Sequence, residues 1–337
     1  MDWFTQLTGF EERSYQETKS ALKIEDNQLI SLVNNASYQI GELEVVSLGS
    51  LRREVDSLGG QTGKCSVEIV TGDVQELHRL PKNTGSLFQV ASQFNLLEMS
   101  GPDISPEHGV TRYQYDHTQG PACAIAAGAA TIYRNYFAKT DNQEGQTSEK
   151  QIDTLKALGT ALSKKLDTSL DKLWLMKNGY VIPSRKGLGE INSLLDKLPP
   201  HEINILRSLL EIGVHRYVEV NEPENQSPLF VSQAFCSALP VAYNQFDSSE
   251  WEPFANLVLE AAYEATLLEA VLNSKRTKCN VVFLTFLGGG AFGNPVNWII
   301  AAIRRSLKLV ANYDLRVKLV SYREPSSAIC SLVNEFN

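Results

Sequence analysis

The sequence is most informative at residues 280–294, which read Asn280-Val281-Val282-Phe283-Leu284-Thr285-Phe286-Leu287-Gly288-Gly289-Gly290-Ala291-Phe292-Gly293-Asn294. Its first eight residues are almost wholly apolar, which is typical of a strand buried on both faces in the middle of an α/β sheet. The glycines that follow let the backbone approach a ligand and turn several N–H groups toward one point. A helix predicted from about residue 295 to 312 adds the positive end of its dipole. The segment therefore predicts a strand and a cradle for a phosphate or diphosphate, with a tight strand-to-helix turn as the alternative.

Strand and helix patterns alternate on both sides of this segment. Short β-branched or aromatic runs bounded by turn residues predict strands, and apolar residues at helical spacing predict helices. The predicted strands are 66–71, 86–91, 214–220, 229–235, 280–287 and 315–322, and the predicted helices are 48–55, 122–137, 250–273 and 295–312. This alternation predicts an α/β fold of three layers, α/β/α, with helices on both faces of the sheet.

The rest of the chain divides into an extension and an insertion. Residues 1–60 are predicted as an N-terminal helical extension of helices and turns that closes at Gly59-Gly60. Residues 139–212 begin with a polar linker and continue with apolar residues at helical spacing, so they are predicted as a helical insertion. Within it, Asn178-Gly179-Tyr180 is predicted as a turn between two helical pieces. The α/β/α core is then formed by residues 61–138 and 213–337.

The composition excludes several classes of partner. Lys and Arg total 31 and Asp and Glu total 39, so the formal net charge is −8. Nucleic-acid and anionic-membrane binders need positive fields, so we expect neither partner. The uncharged run between Lys278 and Arg304 is broken by glycines and by Asn294-Pro295, which does not fit a membrane span.

The cysteines and the N-terminus predict a cytoplasmic protein. The five cysteines are scattered, with no Cys-x-x-Cys pair, which favours reduced thiols over disulfides or a zinc site. Met1-Asp2-Trp3-Phe4 has neither a basic nor an apolar signal region. No metal-ligand spacing is visible, so we predict no metal.

Three further motifs follow predicted strands or precede a predicted helix. Gly72-Asp73-Val74 ends the first strand, and its Asp is suited either to an adenine amino group or to capping the turn. Gln93-Phe94-Asn95 follows the second strand, where Asn95 is suited to a ribose hydroxyl. In the stretch from Tyr115 to Cys123, Asp116 or Thr118 is suited to cap the helix that starts at Gln119-Gly120-Pro121. Its first N–H groups would then face a phosphate.

Taken in order, these motifs resemble the macrodomain superfamily, which binds ADP-ribose in a mixed-sheet α/β/α fold. Gly72-Asp73-Val74 resembles the family's Gly-Asp-Ile, and residues 86–95 resemble its strand ending in Ala-Ala-Asn. Residues 288–294 resemble its second glycine loop, and residues 119–122 stand where its first glycine loop opens a helix. The resemblance implies ADP-ribose contacts for Asp73, Val74, Gln93, Asn95, Gln119, Gly120, Pro121, Ala122, Gly288, Gly289, Gly290, Ala291, Phe292, Gly293 and Asn294.

Two family signatures are absent: a Gly-Gly-Gly-Val first loop and the Gln-Glu-Glu of poly(ADP-ribose) glycohydrolases. Residues 92–99 and 115–135 look instead like a divergent branch, the bacterial effector macrodomains that remove mono-ADP-ribose from arginine, including arginine on ubiquitin. The resemblance implies a hydrolase that needs no cofactor, with ADP-ribose as its product and an ADP-ribosylated protein, such as arginine-modified ubiquitin, as its partner.

Cleavage at the anomeric carbon passes through an oxocarbenium-like state, which needs a carboxylate and an acid. Asp116 is the first choice because it directly precedes the helix start, and Glu98 and Asp103 are second choices from the same region. Together with Glu107 these carboxylates would suit a cationic guanidinium. For Asp103 and Glu107, solvated loop charge is the alternative interpretation.

Two other functions remain open at the level of sequence. The first is a module that binds ADP-ribose or a related nucleotide without catalysis. The second is a hydrolase that uses Cys123 as its nucleophile, with Gln119 as oxyanion donor and His201 or His215 as base. Phe292 is suited either to stack on the distal ribose or to anchor its loop.

Overall fold

A computed structural model describes residues 1–59, 63–221, 227–322 and 324–337. In these residues, the helices numbered in chain order are α1 Trp3–Thr8, α2 Tyr15–Ser20, α3 Leu48–Ser57, α4 Val74–Arg79, α5 Gln119–Ala126, α6 Gly128–Tyr136, α7 Lys156–Lys165, α8 Leu170–Leu173, α9 Arg185–Leu195, α10 Pro200–Ser208, α11 Glu252–Thr277, α12 Val296–Leu309 and α13 Ser327–Asn334. None of them is both long enough and apolar enough to cross a membrane.

The strands are β1 Leu22–Glu25, β2 Gln28–Ser31, β3 Ser37–Gln39, β4 Glu42–Ser47, β5 Ser66–Thr71, β6 Leu87–Ala91, β7 Lys139–Thr140, β8 Gln143–Glu144, β9 Trp174–Lys177, β10 Tyr180–Pro183, β11 Glu211–Val220, β12 Leu229–Cys236, β13 Val281–Leu284 and β14 Arg316–Ser321. Seven of them form the central sheet, in the order β4-β11-β12-β6-β13-β14-β5. Strands β12, β6, β13, β14 and β5 run parallel to one another. At the other side of the sheet, β11 pairs antiparallel with both β12 and β4. The predicted mixed sheet is confirmed.

The sheet is buried on both faces because its inner strands are apolar at successive positions. Val282 packs on one face with α3, α11 and α12, whereas Phe283 packs on the other with α4 and α5. On that second face the ring of Phe88 lies 3.7 Å from the ring of His78 and 4.3 Å from that of Phe283. Helices therefore cover both faces, and the predicted three-layer α/β/α class is confirmed.

The prediction that residues 1–60 contain only helices and turns is wrong. Strands β1, β2 and β3 form a small antiparallel sheet, and β4 joins the central sheet beside β11. The signal that was overlooked is Asp26-Asn27, where φ is 49° and 62°, as a two-residue hairpin turn requires. Gly60, where the predicted closing turn ends, lies outside the described residues.

The insertion is also only partly helical. Residues 178–179 are not a link between helical pieces but the turn of the β9–β10 hairpin, with φ of 48° and 77°. Asn-Gly is the favoured pair for such a turn because both residues tolerate positive φ. The predicted helix 122–137 is interrupted at Ala127 and forms α5 and α6. The predicted limits of the extension, core and insertion stay predictions.

Candidate active site

A cleft lies at the edge of the sheet where the parallel strands end. Ligands of α/β sheets bind beyond the carboxyl ends of such strands, because the loops and helix N-termini converge there. The cleft has two lobes. The Asp73 lobe has a volume of about 360 Å³ and includes Gly72, Asp73 and Val74; the Glu98 lobe has about 500 Å³ and includes Glu98 and the glycine loop. Both lobes are lined by Asp116, His117, Thr118, Gln119, Thr285, Phe286 and Tyr322.

Asp73 both caps a helix and faces the cleft. Its Oδ1 accepts a hydrogen bond of 2.7 Å from the backbone N–H of Gln75, which caps α4. In the part of the chain that the structure describes, no hydrogen bond uses Oδ2. The two interpretations of Asp73 are therefore compatible, because one carboxylate oxygen holds the helix and the other is free for a ligand donor.

The glycine loop presents unpaired backbone donors. Among the described residues, the N–H groups of Gly288, Gly290, Ala291 and Phe292 have no hydrogen-bond partner, and all four residues line the Glu98 lobe. Gly288 and Phe292 are half-buried, and Gly290 and Ala291 are exposed at the cleft, so these N–H groups are accessible to the oxygens of an anionic ligand. The N–H groups of the first turn of α5 lie on the other side of the cleft.

The remaining residues of the loop hold its shape. The side-chain amide of Asn294 donates to the carbonyl of Leu239, at 2.8 Å, and the N–H of Asn294 donates to the carbonyl of Gly288, at 2.9 Å. Gly289, Gly293 and Asn294 do not line either lobe. The structure thus separates the predicted loop contacts into residues that line the cleft and residues that support the loop.

Gln119, Gly120 and Pro121 place the N-terminus of α5 against the end of β6. The Gln119 side chain accepts from the N–H of Ala91 and donates to the carbonyl of Gln89, at 2.9 and 2.8 Å. At residue 120 a Cβ would lie 2.0 Å from the carbonyl oxygen of Ala91. Only glycine permits this approach, so α5 can begin directly beside the strand end.

Glu98 is the most unusual side chain in the cleft. It is 2% exposed, yet neither carboxyl oxygen has a hydrogen-bond partner in the described part of the chain. Burial, reinforced by the nearby charge of Asp116 and opposed by Arg134, raises the pKa of Glu98 to about 8. A carboxyl group that lines a cleft and keeps its proton at neutral pH is suited to act as a general acid.

Arg134 lies behind Glu98 on α6 and is fully buried. Its Nη2 is 3.9 Å from Oε2 of Glu98, and its guanidinium stacks on Phe235 at 3.9 Å. Its Nε donates to the carbonyl of Leu96, at 3.1 Å. The pairing of Arg134 with Glu98 joins residues 36 positions apart in the chain, so it needs the tertiary fold.

Asp116 is half-buried between the two lobes. Its Oδ1 accepts hydrogen bonds from the N–H and the hydroxyl of Thr118, at 3.0 and 2.7 Å. These bonds fix the carboxylate at the entrance to α5 and leave Oδ2 directed to no partner among the described residues. Asp116 and Glu98 therefore share one lobe, one held by a local turn and the other by burial.

Three residues predicted near the reaction lie elsewhere. Asn95 is fully buried, its Oδ1 accepting from the N–H of Leu97 and its Nδ2 donating to Gln151, so it does not face the cleft. Asp103 is exposed and pairs with Lys177, and Glu107 accepts from the N–H of Ser148. The ribose role of Asn95 and the catalytic role of Asp103 are therefore not supported. Gln93, from the same motif as Asn95, does line the Glu98 lobe.

The structure also brings together three aromatic residues, of which the sequence had nominated only Phe292. Tyr180, Tyr243 and Phe292 come from the insertion, from the segment after β12 and from the glycine loop, and their rings lie 5.2–5.5 Å apart. All three line the Glu98 lobe, and Tyr322 lines both lobes. No local pattern identifies such a wall, because its members are more than 40 residues apart.

The position of Cys123 does not suit a catalytic nucleophile. Its thiol is fully buried and accepts a hydrogen bond from Nε2 of Gln119, at 3.1 Å, and burial raises its pKa well above the ordinary value. No histidine is hydrogen-bonded to the thiol among the described residues. His201 is exposed, and His215 is buried beside Arg134. These observations contradict the cysteine mechanism.

Replacing the Cys123 thiol by a hydroxyl gives a direct check. We expect Cys123→Ser to keep at least about half of the wild-type turnover, because the side chain is core packing and a hydroxyl still accepts from Gln119. The measurement is kcat of the variant relative to that of the wild type. Loss of turnover with unchanged thermal stability would restore the cysteine mechanism.

No protein family and no curated protein sequence matches this chain. Solved structures that are similar to it include the poly(ADP-ribose) glycohydrolase of Thermomonospora curvata bound to the inhibitor ADP-HPD, at 12% identity and a TM-score of 0.46 over 96% of this chain and 97% of that chain. Another is the poly(ADP-ribose) glycohydrolase of Deinococcus radiodurans in complex with ADP-ribose. It has 11% sequence identity and a TM-score of 0.44, and the match covers 87% of this chain and 92% of that chain. At such low identities and TM-scores, these similarities decide nothing about the site, so function is argued from the cleft.

Proposed function

We propose that the cleft binds ADP-ribose and that the protein hydrolyses the glycosidic bond joining mono-ADP-ribose to a protein side chain, arginine in the first place. The observation that carries the proposal is the buried Glu98, whose carboxyl oxygens have no hydrogen-bond partner among the described residues, in the same lobe as the unpaired amides of the glycine loop. A diphosphate needs the amides, and departure of a leaving group from the anomeric carbon needs the acid. This arrangement agrees with the resemblance of the motifs to the macrodomain superfamily.

The two lobes fit the two halves of the ligand. In the proposed pose, Asp73 receives the adenine amino group, and the diphosphate lies between the N-terminus of α5 and the glycine loop. The distal ribose then lies in the Glu98 lobe, beside Phe292. Backbone N–H groups bind the diphosphate, so the ligand needs no basic surface on a chain of formal charge −8.

The reaction divides between the two carboxyl groups. As the bond from the anomeric carbon to the arginine nitrogen breaks, Glu98 gives its proton to that nitrogen. Asp116 accepts a proton from a water whose oxygen bonds to the anomeric carbon, and its charge stabilises the oxocarbenium-like state. The products are ADP-ribose and the protein with its arginine side chain unmodified, and the proton on Asp116 returns to Glu98 through solvent.

The pKa of Glu98 sets the expected pH dependence. Because the acid must be protonated and its pKa is raised to about 8, we expect kcat/KM to be level near neutral pH and to fall above about pH 8. The fall approaches about tenfold per pH unit, as for one essential acid. Initial rates between pH 6 and pH 10 measure it. Rates that rise through pH 8 would contradict this role of Glu98.

Two measurements test the proposed function. Calorimetry with ADP-ribose asks whether the cleft binds it, and a panel of arginine-, glutamate- and serine-linked ADP-ribosyl proteins asks which linkage is cut. We expect binding and preferential release from arginine. Binding without turnover of any linkage would make the protein a reader of ADP-ribose, and no binding would overturn the proposal.

A further inference from the structure

The β9–β10 hairpin of the insertion lies against the segment that carries Glu98, residues 92–102. The N–H of Phe94 donates to the carbonyl of Gly179, at 3.1 Å, and the side-chain amide of Asn178 donates to the carbonyl of Pro102, at 2.8 Å. Between them, the hydroxyl of Tyr180 donates to the carbonyl of Met99, at 2.6 Å. Three consecutive hairpin residues thus bond to the segment on both sides of Glu98.

The contact is close as well as hydrogen-bonded. Gly179 has a φ of 77°, and a Cβ there would lie 2.7 Å from Cγ of Asn95 and 2.7 Å from Cβ of Gln93. The Asn95 amide also donates to Gln151, which in turn donates to Asn178, both at 2.8 Å. These amides therefore tie the hairpin turn to the chain just before Glu98.

The segment of residues 92–102 contains an energetically unfavourable backbone conformation. Leu96 has a φ of 64°, in the left-handed region that branched side chains rarely adopt. Residues 93–97 form a tight turn around Leu96. The N–H of Gln93 donates to the carbonyl of Leu97, and the N–H of Leu96 donates to the carbonyl of Gln93, both at 3.0 Å. Such a conformation persists only where surrounding contacts over-determine it.

We propose that this hairpin is a positioning element for Glu98 and that Tyr180 is its main positioning residue. By holding Met99, the residue after Glu98, the Tyr180 hydroxyl fixes where the carboxyl group points and keeps it out of water. This inference rests on the proposed function, in which Glu98 is the acid. It assigns to the insertion a role in chemistry that the sequence did not suggest.

The hairpin acts on Glu98 through position and not through charge. The titratable or charged groups that face Glu98 are Arg134 on α6, Asp116 before α5, Tyr113 in the preceding loop and Cys123 on α5. None of them belongs to the hairpin. If the hairpin contacts are weakened, water reaches Glu98 and its pKa falls from about 8 toward the ordinary value, because desolvation is the largest cause of the shift.

Two variants of the full chain weaken different contacts. Tyr180→Phe removes one hydroxyl and keeps the ring, and Gly179→Ala pushes the turn away from Asn95 without altering a residue that lines the cleft. The control is Gly189→Ala in the same insertion, where a Cβ meets no atom within 4 Å. For each, kcat on ADP-ribosylated protein, the ADP-ribose Kd, thermal unfolding and the Glu98 pKa are measured, the last by carbon NMR of labelled glutamate.

We expect kcat to fall about tenfold in Tyr180→Phe and about a hundredfold in Gly179→Ala, since small displacements of a catalytic group cost this much. The ADP-ribose Kd stays within about twofold, the Glu98 pKa falls in both, and Gly189→Ala matches wild type. An unchanged Glu98 pKa in both folded variants would overturn the inference, whatever happens to kcat. If the wild type has no turnover, the proposed function fails, and the pKa comparison still decides whether the hairpin positions Glu98.

Discussion

Glu98→Gln should lower turnover by a factor of about a thousand while leaving ADP-ribose affinity within about threefold of wild type. The amide has the size of the carboxyl group but no proton to give, and general acid catalysis is worth about 10²–10⁴ in rate. Affinity should be kept because, in the proposed pose, backbone N–H groups and not Glu98 hold the diphosphate. Single-turnover hydrolysis and calorimetry with ADP-ribose measure the two effects.

The matched control is Glu107→Gln, the same change in a nearby carboxylate that bonds to Ser148 and lies outside the cleft. We expect it to retain wild-type turnover. Equal losses in both variants would mean that the effect is not specific to the cleft. Unimpaired turnover in Glu98→Gln would remove Glu98 from the reaction. Asp116 would then be the one carboxylate left for it among the described residues that line the Glu98 lobe.

Gly120→Ala is expected to reduce ADP-ribose affinity by a factor of at least about a hundred. A Cβ at residue 120 would lie 2.0 Å from the carbonyl oxygen of Ala91 and 3.0 Å from Cγ of Glu98. The first contact is with backbone, so the N-terminus of α5 must move away from the sheet edge. That movement takes its N–H groups out of reach of the diphosphate and costs about 1–3 kcal/mol or more of stability, as overpacking does.

Calorimetry and urea unfolding measure these two losses. The control is Gly101→Ala, because that glycine lies in the same region of the chain and a Cβ there meets no atom within 4 Å. It should leave affinity and stability near those of wild type. Wild-type affinity in Gly120→Ala would show that the start of α5 is not part of the binding site.

The parts of the fold that were predicted correctly depend on local patterns. The β13 strand, the glycine loop and α12 follow from an apolar run, four glycines and a helical spacing that lie together in the chain. The β1–β4 strands were missed because they are short and partly exposed, with charges such as Glu42 and Glu44 at alternating positions. The β9–β10 hairpin was missed although Asn178-Gly179 is a known hairpin signal, because its helical neighbours dominated the pattern.

The candidate site was predicted in outline and not in its roles. The motifs after the strands do meet at one edge, since parallel strands bring their carboxyl ends together. Asn95 and Asp103 were nominated for their chemistry and their place in the chain, yet the fold directs one into the interior and the other into solvent. The sequence cannot show this, because a side chain's direction after a strand depends on what packs against it.

Sequence alone predicted the α/β class, the glycine loop of residues 288–294 and the carboxylates nominated for the reaction, because each depends on residues that are neighbours in the chain. Only the tertiary structure decided that the Glu98 carboxyl group has a raised pKa. That result comes from burial of the carboxyl group in the folded chain, which outweighs the opposing cation of Arg134 and is reinforced by the charge of Asp116. A pKa depends on the surroundings of a group in space, and these exist only once the chain has folded.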